Sequence, residues 1–397
     1  MLCFEPNRQA ALTRLAAVNP EAYARTRNAL DGAVTHLSPY LTHGVLSLSE
    51  VYRSVHARQP LDPKHKLVFE LGWRAYWRHV WRHVGDGIHQ SLHAGVLPDV
   101  AYSLEVPADV LEARTGIAAI DLAVRALYET GYLHNHARMW LASYLVHLRK
   151  VHWHTGAQWM LGHLLDGDLA SNHLSWQWVA GTGSRKPYLF NADNVAKYAP
   201  AHWHSPGTPI DMNYEAMDQM ARHGAQAAWR SHAPRAIDGT QQPKLHHAPP
   251  DGTWTLPDSA AATGCDIWLI HPWALHARPP ATGTQVRLIG VGLPPCHAHT
   301  PWSERRWHFV TQGMRTQTPH LWWGSTQQIA QALAGARSVQ WQADPHVDAA
   351  LNAVQAVWQA ASVPPASTPH RQPCLFEAVA QPCKSFSEWW RHTRLSG

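Results

Sequence analysis

From about residue 5 to residue 200 the apolar positions of the chain recur at helical spacing. In TGIAAIDLAVRALYETG, Ile120, Val124 and Leu127 fall at i, i+4 and i+7, and Gly131 stands where a helix would end. NHARMWLASYLVHLRKVHW repeats the period with Leu141, Leu145 and Leu148, which predicts an αα pair. Strand-like alternation is scarce. Between 201 and 262 the texture turns to Pro, Gly and Asp, as in RAIDGTQQPKLHHAPPDGTWTLPDS, and predicts a long connection with one short helix near Tyr214 to Ser231. After 263 short apolar runs alternate with helical stretches. CDIWLI, QVRLIGVG, HLWWG and SVQW read as strands, WSERRWHFVTQGM and STQQIAQALAGAR as helices, the latter opened by a Ser325/Gln328 capping box. Val347, Leu351, Val354 and Trp358 form one face of a further helix. This alternation predicts a mostly parallel sheet covered on both sides, in a Rossmann-like α/β domain. No GxGxxG follows its first strand, so an ordinary dinucleotide site is not expected there. The expected layout is α + α/β: an all-helical domain over 1–200, a Pro/Gly-rich connection over 201–262 and a smaller α/β domain over 263–397.

Composition narrows the class. With 45% hydrophobic and 15% charged residues in 397, the chain can bury a core and is not of the disordered kind. Thirty-three Lys and Arg against 28 Asp and Glu give a net charge of +5, which permits a polyanionic partner without requiring one. Five Cys, at 3, 265, 296, 374 and 383, form no CxxC pair, so neither a zinc ribbon nor a disulfide framework is expected, and a reducing compartment follows. The opening MLCFEPNRQAALTRLAAV has no apolar signal-like core, and no apolar run reaches the roughly 18 residues of a membrane span; a cytoplasmic location is expected. Thirty His make pairs such as His152 and His154, or CHAH at 296–299, expected by chance, so no metal site is predicted. The 21 Trp call for packing, stacking on planar ligands or electron transfer.

The chemistry concentrates in LLDGDLASNHLSWQWVAGTG, Leu164 to Gly183. Asp166 and Asp168 alternate with Gly167 and Leu169, as in an exposed turn or helix start. Such carboxylates could serve acid/base catalysis, bind a divalent metal, or hold sugar hydroxyls and ring N–H groups of a cofactor; a plain N-cap with a solvated neighbour is the bland alternative. Spacing alone does not choose.

Four stretches in order do choose. The segment from Leu165 to Gly183 resembles the flavin-binding core of the DNA photolyase and cryptochrome family, whose pattern runs LxDGDLAxNxxxWQWxAxTG. Upstream, Asp121, Gly131 and His134 to Met139 resemble the family's TGxPxxDxxMRxLxxTGWMHNRxRM. HLSPYLTHGVLS (His36 to Ser47) resembles RLSPYLxxGxLS, and ELGWRAYWRH (Glu70 to His79) resembles ELxWREFYRH. Together they cover about residues 20 to 200.

The resemblance implies FAD as cofactor and assigns positions. Tyr23, Thr35, Leu37 and Ser38 match residues that hold the flavin diphosphate; Tyr132 and Asn135 belong to the same lining. Arg138 and Asp166 match an ion pair over the isoalloxazine, Asp168 a contact on the adenine side, and Asn172 the residue facing flavin N5. Trp176 and Trp153 match the first two members of an electron-transfer chain; the third Trp is absent, and Tyr102 is the candidate to end it. Glu70, Trp73, Asn135, His136, Met139 and Trp178 match positions lining a pocket for a flipped pyrimidine dimer. His136 replaces the Arg usual there, which removes a permanent cation.

The implied activity is light-dependent repair of cyclobutane pyrimidine dimers in DNA by electron transfer from excited, reduced FAD. The alternative is a cryptochrome-like blue-light photoreceptor, or a nucleic-acid-binding flavoprotein without repair, whose partner is single-stranded DNA or RNA. The flavin part of the chain holds only Cys3, which excludes the family's four-Cys iron–sulfur cluster. The family places its α/β antenna domain before the helical one, so the tail here reads as a permuted antenna domain or an unrelated α/β domain. No antenna chromophore can be named from it.

Overall fold

The computed structural model describes residues 2–223, 238–250, 252–277, 286–359 and 364–396. Its helices in the first half are α1 (Arg8–Ala16), α2 (Pro20–Thr26), α3 (Ser38–Thr42), α4 (Leu48–Arg58), α5 (Lys66–Val84), α6 (Ala108–Leu111), α7 (Ala118–Thr130), α8 (Asn135–Ser143), α9 (Trp153–His163), α10 (Leu169–Ala180) and α11 (Ala192–Tyr198). Then come α12 (Tyr214–His223), β1 (Leu245–His246), β2 (Asp266–Ile270), β3 (Val286–Gly292), β4 (Trp302–Ser303), α13 (Glu304–Arg315), β5 (Leu321–Trp323), α14 (Thr326–Leu333), β6 (Ser338–Gln342), α15 (Asp348–Gln359), β7 (Ala366–His370) and α16 (Phe386–His392).

Local chemistry sets the ends. Gly131 closes α7 at φ +67, the left-handed conformation that glycine adopts without a Cβ penalty. Ser325 and Gln328 make both bonds of the expected capping box on α14. The single helical run read from Asn135 towards Trp153 is interrupted: α8 passes into a π-turn at Tyr144–Leu148, and α9 restarts after His152. Between them Lys150 takes φ +53 and is 2% exposed. Its ammonium is drawn inward to the carbonyls of Met220 and Ala221, each at 2.8 Å, and that inward reach breaks the period. The helix expected near Tyr214 starts there, and the part of that expectation beyond His223 lies outside the described residues. The 201–262 stretch also carries β1, which pairs antiparallel with β4.

β2, β3, β5, β6 and β7 form one parallel sheet in the order β5-β3-β2-β6-β7. Residues 267–270 of the central strand are all buried, as a sheet covered on both faces requires. The order reverses between β2 and β6, and the carboxyl ends of those strands are where open α/β sheets place ligands. Here the crevice receives the helical part instead. Arg78 of α5 reaches Asp344 at 2.8 Å, the Leu169 amide donates to His346 Nε2 at 3.2 Å, and the Leu275 amide donates to the His43 carbonyl at 2.9 Å. One apolar cluster accordingly runs from Leu15, Val51 and Val68 into Ile267, Trp268 and Trp307, while a second gathers α7 to α10. Trp140, Trp268, Trp302, Trp307, Trp322 and Trp341 are fully buried, so a good part of the tryptophan excess is core. Among the described residues no helix is long and apolar enough to cross a membrane.

Candidate functional site

The DGD turn is a buried loop. The Leu165 amide donates to Gly131 O at 2.8 Å, Thr42 Oγ1 donates to Asp166 O at 3.0 Å, and a ring nitrogen of His43 lies 2.9 Å from Leu165 O. From the far side Arg306 of α13, 1% exposed, donates to Gly167 O at 2.6 Å and Leu161 O at 3.2 Å. A Cβ on Gly167 would meet that guanidinium and lie 2.8 Å from Leu161 O, which is why the acids are separated by glycine. Asp168 caps α10, accepting from the Ser171 amide and hydroxyl. Its side chain is fully buried between Arg78 at 2.9 Å and Arg74 at 3.5 Å. Burial alone would raise its carboxyl; the two guanidinium groups overcome this and hold it well below the ordinary carboxylate range. Of the exposed turn or helix start expected from the sequence, the structure has the helix start, with Asp168 as its cap; it is buried rather than exposed because arginines from α5 and α13 fold over it.

Asp166 is different. Arg138 of α8 donates to its Oδ2 at 2.7 Å, yet its Oδ1 is buried with no partner. Such an orphan acceptor costs about 1–3 kcal/mol unless a donor arrives. The Arg138 guanidinium lies over Tyr132 at 5.5 Å, and Tyr132 meets the His36 ring at 5.2 Å. His36 in turn lines a cavity of about 160 Å³ with Arg14, Asn19, Tyr23 and Thr35. It sits at φ +51, a conformation rare for residues with a Cβ and typical of strained ligand sites. The ion pair is thus linked to the cavity through the Tyr132 and His36 rings, which meet at a tilt of 52°. A cation with hydroxyl and amide groups at one end suits a diphosphate; a lone acceptor at the other suits a ring N–H. The residues fit a flavin dinucleotide in this respect, although the cavity itself is smaller than the roughly 300 Å³ at which ligand pockets usually begin. Leu37 is buried, and its amide points at Thr35 Oγ1 at 3.4 Å; Ser38 opens α3. Asn172, 9% exposed, donates its amide to Ala157 O at 2.9 Å.

The residues expected to form an aromatic path are placed as follows. Trp176 is 2% exposed and packs its six-membered ring on Gly156, one turn along α9 from Trp153. Trp153, 3% exposed, donates to Ser91 Oγ at 2.9 Å. Its ring lies 5.9 Å from that of His152, which is 6.2 Å from Tyr102.

The expected lesion-side residues are more scattered. Glu70 accepts from Arg27 Nε at 3.3 Å; burial pushes its carboxyl up, with Arg27 opposing. Asn135 is exposed at the start of α8 with its amide 3.3 Å from Met139 Sδ, and Trp178 lies 5.7 Å from Tyr188. His136 packs on Tyr198 at 4.9 Å, and burial, with Arg27 nearby, lowers its pKa and favours the neutral ring. Trp73 is stacked on Phe386 of α16, with ring centroids 4.2 Å apart and planes 12° from parallel. One face of that indole is therefore taken by the chain's own last helix, a contact that sequence spacing could not reveal.

Residues 67–231 match the family model described as the FAD binding domain of DNA photolyase. The deoxyribodipyrimidine photo-lyase of Streptomyces griseus is 36% identical over 164 residues, 38% of this chain and 33% of that protein. That of Synechococcus sp. is 32% identical over 217 residues, 49% of this chain and 43% of that protein. The cryptochrome DASH of Idiomarina loihiensis is 29% identical over 192 residues, 46% and 43% of the two chains. The matched part thus spans less than half the length of these relatives. Among solved structures, a Synechocystis sp. PCC6803 cryptochrome aligns with TM-score 0.49 and 25% identity over 56% of this chain and 57% of that one.

Proposed function

We propose, for a chain that belongs to the DNA photolyase and cryptochrome family, that it is a light-dependent FAD flavoprotein repairing cyclobutane pyrimidine dimers in DNA. The observation that supports this most is the Arg138–Asp166 pair at 2.7 Å, with the second Asp166 oxygen buried and waiting for a donor. When bound, reduced FAD supplies the light-driven electron that opens the dimer. The rest is positioning. Arg138 would favour negative charge on a flavin ring system held beside it, and Asp166 Oδ1 could accept a ring N–H. Asn172 presents an amide, which hydrogen-bonds without being a ready acid. Arg14, Thr35 and Ser38 suit the diphosphate. Asp168 orients α10 through its cap and its two arginines and is spent within the protein, so it shapes the cofactor's surroundings rather than binding directly. Trp176, Trp153 and Tyr102, the last reached through His152, would be the oxidisable rings between the flavin and the surface. Asn135 and Glu70 offer hydrogen-bonding edges for bases, and Met139 and Trp178 apolar surface.

The stack of Phe386 on Trp73, with the neutral His136, favours a second reading: a cryptochrome-like photoreceptor that has given up lesion contacts. Binding in the dark separates the two. The repair reading expects a dimer-containing oligonucleotide to bind more tightly than its undamaged twin, and Asn135→Ala to abolish that preference. Equal binding of both oligonucleotides by FAD-loaded protein overturns it in favour of the second.

A further inference from the structure

Three histidines far apart in sequence meet beside Trp153. His89 ends the 3-10 turn Gly85–His89, His154 lies in the first turn of α9, and His173 lies in the first half of α10. Their ring centroids form a nearly equilateral triangle with sides of 5.5, 5.4 and 5.5 Å, and the planes cross at 74° to 86°. One nitrogen from each ring falls in a group whose members all lie within 4.8 Å of one another. We propose that His89, His154 and His173 form a binding site for one divalent first-row metal ion of the Zn²⁺ class.

Four observations carry this. First, His89 Nδ1 and His154 Nε2 are 3.3 Å apart. Two nitrogens bound tetrahedrally to zinc at about 2.0–2.1 Å stand about 3.3 Å from each other, whereas N–H hydrogen bonds centre nearer 2.9–3.0 Å. Second, His173 is 0% exposed, and its Nε2 is buried with no hydrogen-bond partner. A solitary imidazole nitrogen left without a partner in a core is costly, and a ligand removes that cost. Its Nδ1 faces the Asn172 amide at 3.4 Å, too long a separation to commit the ring proton to either nitrogen. Third, Gln158 lies one turn along α9 from His154, with its amide nitrogen 3.5 Å from the same Nε2 and its Oε1 buried without a partner. A half-turn of that amide aims its oxygen, a ligand atom, at the shared space. Fourth, His89 and His154 are half-buried, which leaves the ion a route in and a place for water. Burial also favours the neutral, ligating form of all three rings.

Three neutral imidazoles without a thiolate or carboxylate select Zn²⁺, Co²⁺, Cu²⁺ or Ni²⁺ over Ca²⁺ or Mg²⁺. Closing the triangle onto an ion asks the widest nitrogen pair to shorten by at most roughly 1.5 Å, within the reach of small side-chain rotations at two half-buried rings. Because the three residues come from a short turn and two helices that already pack together, the site is largely formed before the ion arrives.

The test is a titration of the full-length, chelator-stripped protein with Co²⁺ and Zn²⁺ at neutral pH, read by calorimetry and by the ligand-field absorption of cobalt. The expected result is one ion per chain, visible bands of a low-coordinate Co²⁺ that Zn²⁺ displaces, and an at least tenfold weaker affinity in His89→Ala and in His154→Ala. His308→Ala, which removes an exposed histidine of α13, controls for the protein's many other imidazoles and should leave the titration unchanged. Both test residues are partly exposed, and far-ultraviolet circular dichroism verifies that each variant folds. Should a variant misfold, the wild-type stoichiometry and cobalt spectrum still decide. No stoichiometric binding, an octahedral cobalt spectrum, or equal affinity in folded single variants overturns the site.

Discussion

Replacing Arg78 by Leu probes how the sheet is locked onto the helical part. Arg78 spans two buried carboxylates, Asp168 at 2.9 Å and Asp344 at 2.8 Å, and is itself 27% exposed. At an effective dielectric near 20, unit charges about 2.8 Å apart attract by about 6 kcal/mol, most of which is cancelled by desolvation. Removing one partner forfeits the attraction and keeps the desolvation, so breaking a buried pair costs about 3–5 kcal/mol. Here Asp168 keeps Arg74 and Ser171, and Asp344 keeps His346 at 2.7 Å, which sets the expectation at the lower end, about 3 kcal/mol. Urea unfolding followed by tryptophan fluorescence reads it. Asp344→Asn in the Arg78→Leu background removes one stranded charge and should recover part of the loss. The Asp344 carboxyl is raised by burial but held below its ordinary value by Arg78 and His346. With the folded value depressed, its contribution is complete above the unfolded value near 4 and disappears as the pH falls further. A loss below about 1 kcal/mol would mean that the pair behaves as a surface salt bridge, and would refute this account of the lock.

Other expectations follow from the same geometry. Gly167→Ala sets a methyl against Arg306 and Leu161 O and should cost about 1–3 kcal/mol by overpacking, measured by the same unfolding assay. His147 and His163 are 0% and 1% exposed, and burial lowers each to a pKa of about 4. Depressed histidine values give stability that is full above the unfolded value and declines below it. Acidifying from pH 7.5 to 5.5 should therefore cost roughly 3 kcal/mol for the two together, and an unchanged urea midpoint would contradict their neutral burial. Asp166→Asn removes the charge that holds Arg138 and should weaken FAD retention at least about tenfold, corresponding to the 1.4 kcal/mol or more of a charged hydrogen bond, as read by flavin absorbance after gel filtration.

The legible part of the molecule was the part governed by short-range rules. The 3.6-residue period placed α7, Gly131 gave its end, Ser325 and Gln328 gave the start of α14, and the βα alternation gave the parallel sheet. The Arg138–Asp166 pair was legible only through the ordered motifs, since 28 residues separate its members. What stayed hidden were contacts made across the fold. Arg306 lies 139 residues from the Gly167 carbonyl it clamps, and Arg78 lies 266 residues from Asp344. Nothing near Asp168 in sequence announces that arginines will bury it. The same holds for Phe386 on Trp73, and for His89, His154 and His173, each of which has some other histidine closer in sequence than either of its two partners.

The central claim is that light drives an electron from bound, reduced FAD into a pyrimidine dimer. It is tested most directly by illuminating the reduced, FAD-loaded protein with an oligonucleotide carrying one cyclobutane thymine dimer and counting intact thymines by chromatography. The account predicts loss of the dimer under blue light, none in the dark, and a strongly reduced rate in Glu70→Ala with flavin content unchanged. Full flavin occupancy with no loss of dimer in the light would contradict it.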